Sequence, residues 1–285
     1  MKPASFEYVR AETAEHALEV LARHAGEASL LAGGQSLIPM MNLRLARPSI
    51  LIDIGRLPLT EISTGPDAIS IGALVRHREL LANAALAHSA PIVAEAVRHI
   101  AHPTIRNHGT AGGSVAYADP TAEIAALLLL LDGQVAAGSK KGTRTIAADD
   151  FFRGAFDTAL GEDEMIVSLS FRPPRVKHGS AFLEISERQG DYAIAAVGAL
   201  IVRSGDTVKE ARIVLSGADS RPIRAREAER MLEGETITHA TARDAAQAAV
   251  RSCQPYSDIR ATAEYRKSLL ETLVARALDE AWNHG

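Results

Sequence analysis

Two glycine clusters hold most of the chemistry that can be read from this sequence: Ala32-Gly33-Gly34-Gln35-Ser36 and Thr110-Ala111-Gly112-Gly113-Ser114. Glycine lacks the Cβ that keeps a backbone away from a ligand, and it reaches φ/ψ values other residues avoid. Successive N–H groups in such a turn can form an anion-binding nest, with the nearby hydroxyls as further donors. Two nests could clamp the two phosphates of a dinucleotide. Each cluster taken singly is equally a plain turn, and neither fits the GxGxxG or the GxxxxGK[ST] fingerprint. A turn pair and a phosphate clamp both stay open on the residues alone.

Other reactive residues are less telling. In Asp119-Pro120-Thr121, either Asp119 or Thr121 can cap a following helix, and Glu123 would suit the positive end of that helix. Glu123 could also accept hydrogen bonds from a ligand, and periodicity does not separate the two roles. His77, His99, His102, His108, His178 and His239 show no HExxH or other ligand spacing, so no metal site is expected. No GxSxG elbow is present. Cys253 lies on a helical stretch and reads as a small core residue. No residue is nominated as a catalytic acid or base.

These clusters need elements to position them. Apolar spacing predicts a helix over 13–26, with Thr13 as cap and Gly26 as stop. "ASLLAGG" and "SILIDIG" read as strands on either side of the first cluster. The apolar and basic segment between them, "LIPMMNLRLARP", is expected to pack and hold the loop. A second section starts near Leu57, with a strand over 68–75 and helices over 78–86 and 91–100. It continues with an apolar helix over 122–131, a hairpin turning near 138–142 and a strand over 164–173. Beyond the Pro173-Pro174 pair, three strands (181–187, 192–203, 208–216) read as an antiparallel meander. Helices over 221–232, 240–251 and 261–282 follow. The expected fold class is α/β and α+β, divided as 1–56, 57–176 and 177–285.

Composition bounds the function. The chain has 285 residues, enough for two or three domains, with 47% apolar and 23% charged residues. Its net charge of −4 and scattered basic residues give no footprint for nucleic acid or an anionic membrane. No signal peptide or membrane span is read, so a cytoplasmic location is expected. One cysteine excludes an internal disulfide, and equally an iron–sulfur cluster held by this chain alone.

"LLAGGQSLIPMMNLRLARPSILIDIG" and "IAHPTIRNHGTAGGSVAYADPTAEIAALLLLLDG" together resemble the FAD-binding medium subunit of molybdenum hydroxylases, among them carbon monoxide dehydrogenase and xanthine dehydrogenase. The resemblance extends through "AFLEISERQGDYAIAAVGALIV" and covers most of the chain. It implies a vanillyl-alcohol-oxidase-like (PCMH-type) FAD-binding domain of two α/β subdomains. Behind them it implies a C-terminal domain with a three-stranded antiparallel sheet and helices. By motif position, Ala32, Gly33, Gly34, Gln35 and Ser36 would form one pyrophosphate loop, and Thr110, Ala111, Gly112, Gly113 and Ser114 the other. Glu123, Ile166 and Tyr192 would lie against the flavin.

The resemblance also implies a division of labour. FAD here would pass electrons to an external acceptor, while molybdopterin and [2Fe-2S] clusters would sit in a large and a small partner subunit, assembled as a dimer of heterotrimers. A stand-alone flavin oxidase or reductase would share the two loops, but no acid–base set near them supports it. Three positions depart from the family pattern: Ala111 for isoleucine, His108 for arginine, and Leu183 where the xanthine enzymes carry a lysine.

Overall fold

The computed structural model describes residues 2–65 and 67–285. The N-terminal lobe is built on β1 (Glu7–Arg10), β2 (Ala28–Leu31) and β3 (Ile50–Asp53), with α1 (Ala14–Arg23) and α2 (Leu37–Asn42) between them. Its sheet runs β1-β3-β2 and is parallel throughout. Thr13 caps α1 as predicted, its hydroxyl accepting from the His16 N–H at 3.1 Å. Ala17, Val20 and Leu21 of α1 pack with Ile50 and Ile52 of β3. The edge strand β1 has no counterpart in the sequence reading because its "EYVR" is largely solvent-facing and carries no apolar run.

The second lobe begins with β4 (Ile62–Thr64), β5 (Ile69–Gly72) and the helices α3 (His77–Ala82), α4 (Ala84–Ser89), α5 (Pro91–His99) and α6 (Pro103–Arg106). The predicted helix over 78–86 is broken in two because Asn83 caps α4, its Oδ1 accepting from Leu86 N–H at 2.9 Å. Next come α7 (Ala111–Tyr117), α8 (Glu123–Leu130), β6 (Gln134–Ser139), β7 (Gly142–Ala147) and α9 (Ala148–Phe151). A short pair, β8 (Phe152–Gly154) and β9 (Asp157–Thr158), precedes β10 (Met165–Phe171). The antiparallel sheet runs β4-β5-β10-β6-β7, so the last strand of the lobe sits in the middle. Ile124 to Leu130 are all buried: α8 is apolar all round because it is enclosed all round.

The C-terminal lobe comprises β11 (His178–Ile185), β12 (Ala195–Ser204), β13 (Thr207–Ser216) and β14 (Ile223–Arg224), then α10 (Arg226–Leu232), α11 (His239–Arg251) and α12 (Ala263–His284). Its antiparallel sheet has four strands in chain order, which corrects the expected three. The added strand is the start of the segment read as a helix over 221–232. Two residues carry no periodicity, and β14 is held by ion pairs that form only in the folded chain. Arg224 binds Glu229, Asp132 Oδ1 (2.9 Å) and the Leu129 carbonyl (2.9 Å). Asp132 Oδ2 also meets Arg212 Nη1 at 3.0 Å, so two arginines of this sheet clasp the C-terminal end of α8.

The sheet is covered on both faces. Phe182, Ala196, Leu200 and Val214 join the core of the second lobe. Val197, Ala199, Ile201, Ile213 and Leu215 pack instead with α11 and α12. This explains why "AAVGALIV" reads as an unbroken apolar run rather than an alternating one.

Candidate functional site

The first glycine cluster follows β2 directly, at the carboxyl end of a parallel strand, where open parallel sheets place their ligands. The end of β3 brings Asp53, Gly55 and Arg56 alongside, and Arg76 reaches in from the second lobe. Together with Leu31 to Gln35, Ile38 and Pro39 they line a cavity of about 550 Å³. Gly34 sits at φ +71°, which a side chain would strain. The N–H groups of Gly33, Gly34, Gln35 and Ser36 donate to no protein acceptor among the described residues. This run of unpaired donors is what an anion requires. Asp53 stiffens the far wall by accepting from the Tyr8 hydroxyl (2.5 Å) and from Gly55 N–H (2.8 Å).

The second cluster is built differently. Thr110 caps α7, and its Oγ1 accepts from Gly113 N–H at 3.1 Å. Ala111 and Gly112 donate to the carbonyls of Val75 and Ala73, both at 2.9 Å, and Ser114 donates to Thr110 O at 3.0 Å. The amides of 111–114 therefore serve the protein itself, and no second nest of the kind read from the sequence exists. What this segment can offer a ligand is the hydroxyl of Ser114 and the bare Cα of Gly113, since Thr110 is buried with its hydroxyl in the cap. Gly112 is required by packing, since a Cβ there would lie 2.7 Å from the Ala73 Cβ. The sequence reading missed that "TAGGS" opens a helix, because two glycines depress helix propensity by about 1 kcal/mol each.

The clusters touch. Gly33 lies against the His108 carbonyl, to which Arg76 also donates, while the His108 side chain is exposed. Behind them, His77 is buried under Gly109, and burial pulls its imidazole down to about 4, so the ring is neutral at physiological pH.

Helix α7 carries the chain onward by ~10 Å, at about 1.5 Å per residue. It ends at a cluster of Tyr117, Asp119, Glu123 and Tyr192, close enough for their charges to act on one another. Asp119 caps the turn, its Oδ1 accepting from the N–H (2.8 Å) and hydroxyl (2.7 Å) of Thr121. Glu123 starts α8. Loss of hydration and then the neighbouring Glu184 push its carboxyl well above the usual carboxylate range. Tyr192 is 55% exposed overall. The protein around its phenol, with Asp119 and Glu123 adding negative charge, still pushes it up to about 12. Tyr117 stacks at a tilt on Phe156, ring centres 5.0 Å apart, and Phe156 is itself exposed.

Two positions lie elsewhere. Ile166 is buried in the core with Ala111 and Val115, behind α7 rather than on an open wall. Leu183 packs against the core formed with the C-terminal helices. Strand alternation turns Glu184, not Leu183, toward the side of α5 and α8. Arg56, Arg76, Tyr117 and Phe156 were not singled out in the sequence. Only the position of Arg56 after a strand and glycine hinted at a role.

A cleft between a parallel lobe and a second sheet, with free amides and guanidinium groups at one end and aromatic and acidic groups about one helix length away, defines a dinucleotide-cofactor protein. The donor set fits a diphosphate: four unpaired N–H groups beside Arg56 and Arg76, with glycine backbones leaving room. Comparisons identify the family. Residues 4–173 match the FAD binding domain in molybdopterin dehydrogenase, and residues 180–281 match the CO dehydrogenase flavoprotein C-terminal domain. The chain belongs to this family of FAD-binding oxidoreductase subunits.

Among its relatives is the 6-hydroxypseudooxynicotine dehydrogenase complex subunit alpha of Paenarthrobacter nicotinovorans, 41% identical over 99% of this chain and 96% of that protein. The carbon monoxide dehydrogenase medium chain of Hydrogenophaga pseudoflava is 35% identical over 99% of each. A solved structure of that organism's carbon monoxide dehydrogenase, in a form lacking the Mo-pyranopterin moiety, superposes with a TM-score of 0.97 over 100% of this chain and 99% of that one.

Proposed function

We propose that this chain is the electron-transferring medium subunit of a molybdenum-containing hydroxylase, with FAD lying along α7 from the glycine loops to Glu123 and Tyr192. The observation that carries this reading is the run of unpaired N–H groups at 33–36, in a cavity that Arg56 and Arg76 also line. In this reading Ala32 to Ser36 bind the pyrophosphate through backbone donors. Ser114 adds a hydroxyl and Gly113 leaves room for close approach, while Thr110, Ala111 and Gly112, packed beneath them, fix where that turn stands. Glu123 and Tyr192 orient the ring end, with Ile166 as apolar backing. Bound FAD supplies two-electron redox chemistry; the protein binds it, orients it and sets the local charge.

Electrons would arrive from a small iron–sulfur subunit served by a large molybdenum subunit, in a dimer of heterotrimers within the cytoplasm, and leave to an external acceptor. The chain would divide at 1–56, 57–176 and 177–285. One surface supports a partner next to the cleft. The segment expected to pack behind the loop buries Met41 but leaves Leu43 57% and Leu45 73% exposed, beside Ile38, Arg44 and Arg47. Exposed apolar residues rimmed by charge are a common feature of subunit contacts.

Expression with neighbouring subunit genes tests the reading. The expected result is a co-purifying complex containing iron, molybdenum and FAD, with the flavin bleached when substrate is added. A folded complex that never takes up FAD overturns it.

A further inference from the structure

Tyr192 is exposed, yet the loop that carries it, between β11 and β12, is held from two sides. From the C-terminal lobe, Arg260 Nη1 donates to the Tyr192 carbonyl at 3.1 Å, and Arg266 Nη1 donates to the Ile194 carbonyl at 2.6 Å. Asp258 fixes both arginines. Its Oδ2 accepts from Arg266 Nη2 at 2.8 Å and stands 3.6 Å from Arg260 Nε. Its Oδ1 accepts from the N–H groups of Arg260 at 2.9 Å and Ala261 at 3.0 Å. The Arg260 guanidinium also stands 6.0 Å from the centre of the Tyr192 ring, at the outer limit of a cation–π contact. From the second lobe, Gly190 at φ +88° rests on Ala101, where a Cβ would stand 2.9 Å from the carbonyl oxygen. Arg106 Nη1 donates to that same carbonyl at 2.7 Å, so the support is itself anchored. The two C-terminal arginines differ in kind. Arg266 is fully buried and belongs to the core, whereas the Arg260 side chain is 28% exposed. Among the described residues, the only hydrogen bond that Arg260 donates outside its own turn goes to Tyr192.

We propose that Arg260 is a positioning residue for the flavin: by holding the Tyr192 carbonyl and standing beside its ring, it fixes where that ring meets the isoalloxazine. This rests on the reading that the flavin lies against Tyr192. Gly190 and Ile194 pin the loop at either side of Tyr192, and Arg260 removes the freedom left between them. Without it the Tyr192 carbonyl turns to water and the ring loses its place, while the glycine loops keep their grip on the diphosphate. A small misplacement of a group against a reacting ring is costly, so one exposed arginine outside the cleft lining can govern the ring end.

The full-length chain is compared as wild type, Arg260→Ala, Arg260→Lys, Tyr192→Ala and the double variant. The ligand-free proteins are digested briefly with trypsin, and cleavage after the exposed Arg188 of the same loop is followed by mass spectrometry. Arg260→Ala should be cut there about fivefold faster than wild type, the worth of one hydrogen bond, and Arg260→Lys should lie between the two. The FAD-loaded proteins are compared by flavin fluorescence, which an aromatic ring lying against the flavin quenches. Tyr192→Ala should brighten the flavin, Arg260→Ala should brighten it in part, and the double variant should match Tyr192→Ala alone. Unchanged cleavage in Arg260→Ala overturns the proposal. So does a brightening by Arg260→Ala that persists when Tyr192 is already replaced, and so does loss of FAD binding in Arg260→Ala. A flavin unaffected by Tyr192→Ala overturns the placement of the flavin against Tyr192 instead, and the cleavage rates, read without FAD, still decide whether Arg260 holds the loop.

Discussion

A Cβ on Gly33 would stand 2.2 Å from the carbonyl oxygen of His108, so the first glycine loop rests directly on the backbone beside the second. The two lobes meet at this point with no side chain between them. Arg76 donates to the same carbonyl, so a residue that lines the cavity is tied to this contact.

Gly33→Ala should therefore be far more damaging than Gly34→Ala. At Gly33 the obstacle is backbone, which cannot swing aside, and overpacking of this kind costs about 2 kcal/mol or more. At Gly34 the penalty is the φ of +71° and contacts with the flexible Ile38 and Leu31 side chains, for roughly 1 kcal/mol. Urea denaturation and FAD titration of both variants check the order.

Arg56 lines the cavity, is exposed, and makes no side-chain hydrogen bond or ion pair among the described residues. Replacing it should leave stability alone and weaken the ligand. Arg56→Gln is expected to melt as wild type does while binding FAD on the order of tenfold less tightly, the worth of one charge-assisted contact. The salt dependence of FAD binding should flatten in the variant.

Asp132 bridges Arg212 and Arg224 at the end of α8 and holds the C-terminal sheet to the second lobe. Asp132→Ala leaves two largely buried guanidinium groups short of a partner, although Glu210 and Glu229 remain. Because Asp132 is partly exposed, the expected loss is about 2 kcal/mol rather than that of a fully buried pair. The midpoint of urea unfolding measures it.

Glu164 receives two bonds from Arg144, at 2.6 and 2.7 Å, and one from Gly161 N–H at 2.7 Å. The Arg144 guanidinium holds its carboxyl below the ordinary value, so its contribution is present at neutral pH and fades as pH drops below about 4. Wild type should lose more stability than Glu164→Gln on acidification from about pH 5 to 3, as followed by thermal melting.

Much of this protein is local. Apolar runs located the longer strands of all three lobes but not the short ones such as β1 and β14, Thr13 announced α1, and the apolar run of α8 announced its own burial. The glycine clusters stood out because a missing Cβ is visible in any sequence. Their pairing, read as a family resemblance, pointed to the cofactor that the family match confirms.

Other features depended on contacts between distant residues. Strand β14 exists because Arg224 meets Asp132 and Glu229; two residues have no period to read. Only the fold shows that the amides of Ala111 and Gly112 are taken by Val75 and Ala73 while those of 33–36 stay unpaired. Two segments alike in composition thus become unlike in chemistry. Likewise, the alternation of β11 turns Glu184 rather than Leu183 toward α8, and the interior of the fold removes its water. A sequence lists which groups can donate, accept or ionise. Which of them remain unpaired depends on neighbours brought together across the chain, because hydrogen bonding and desolvation act through space.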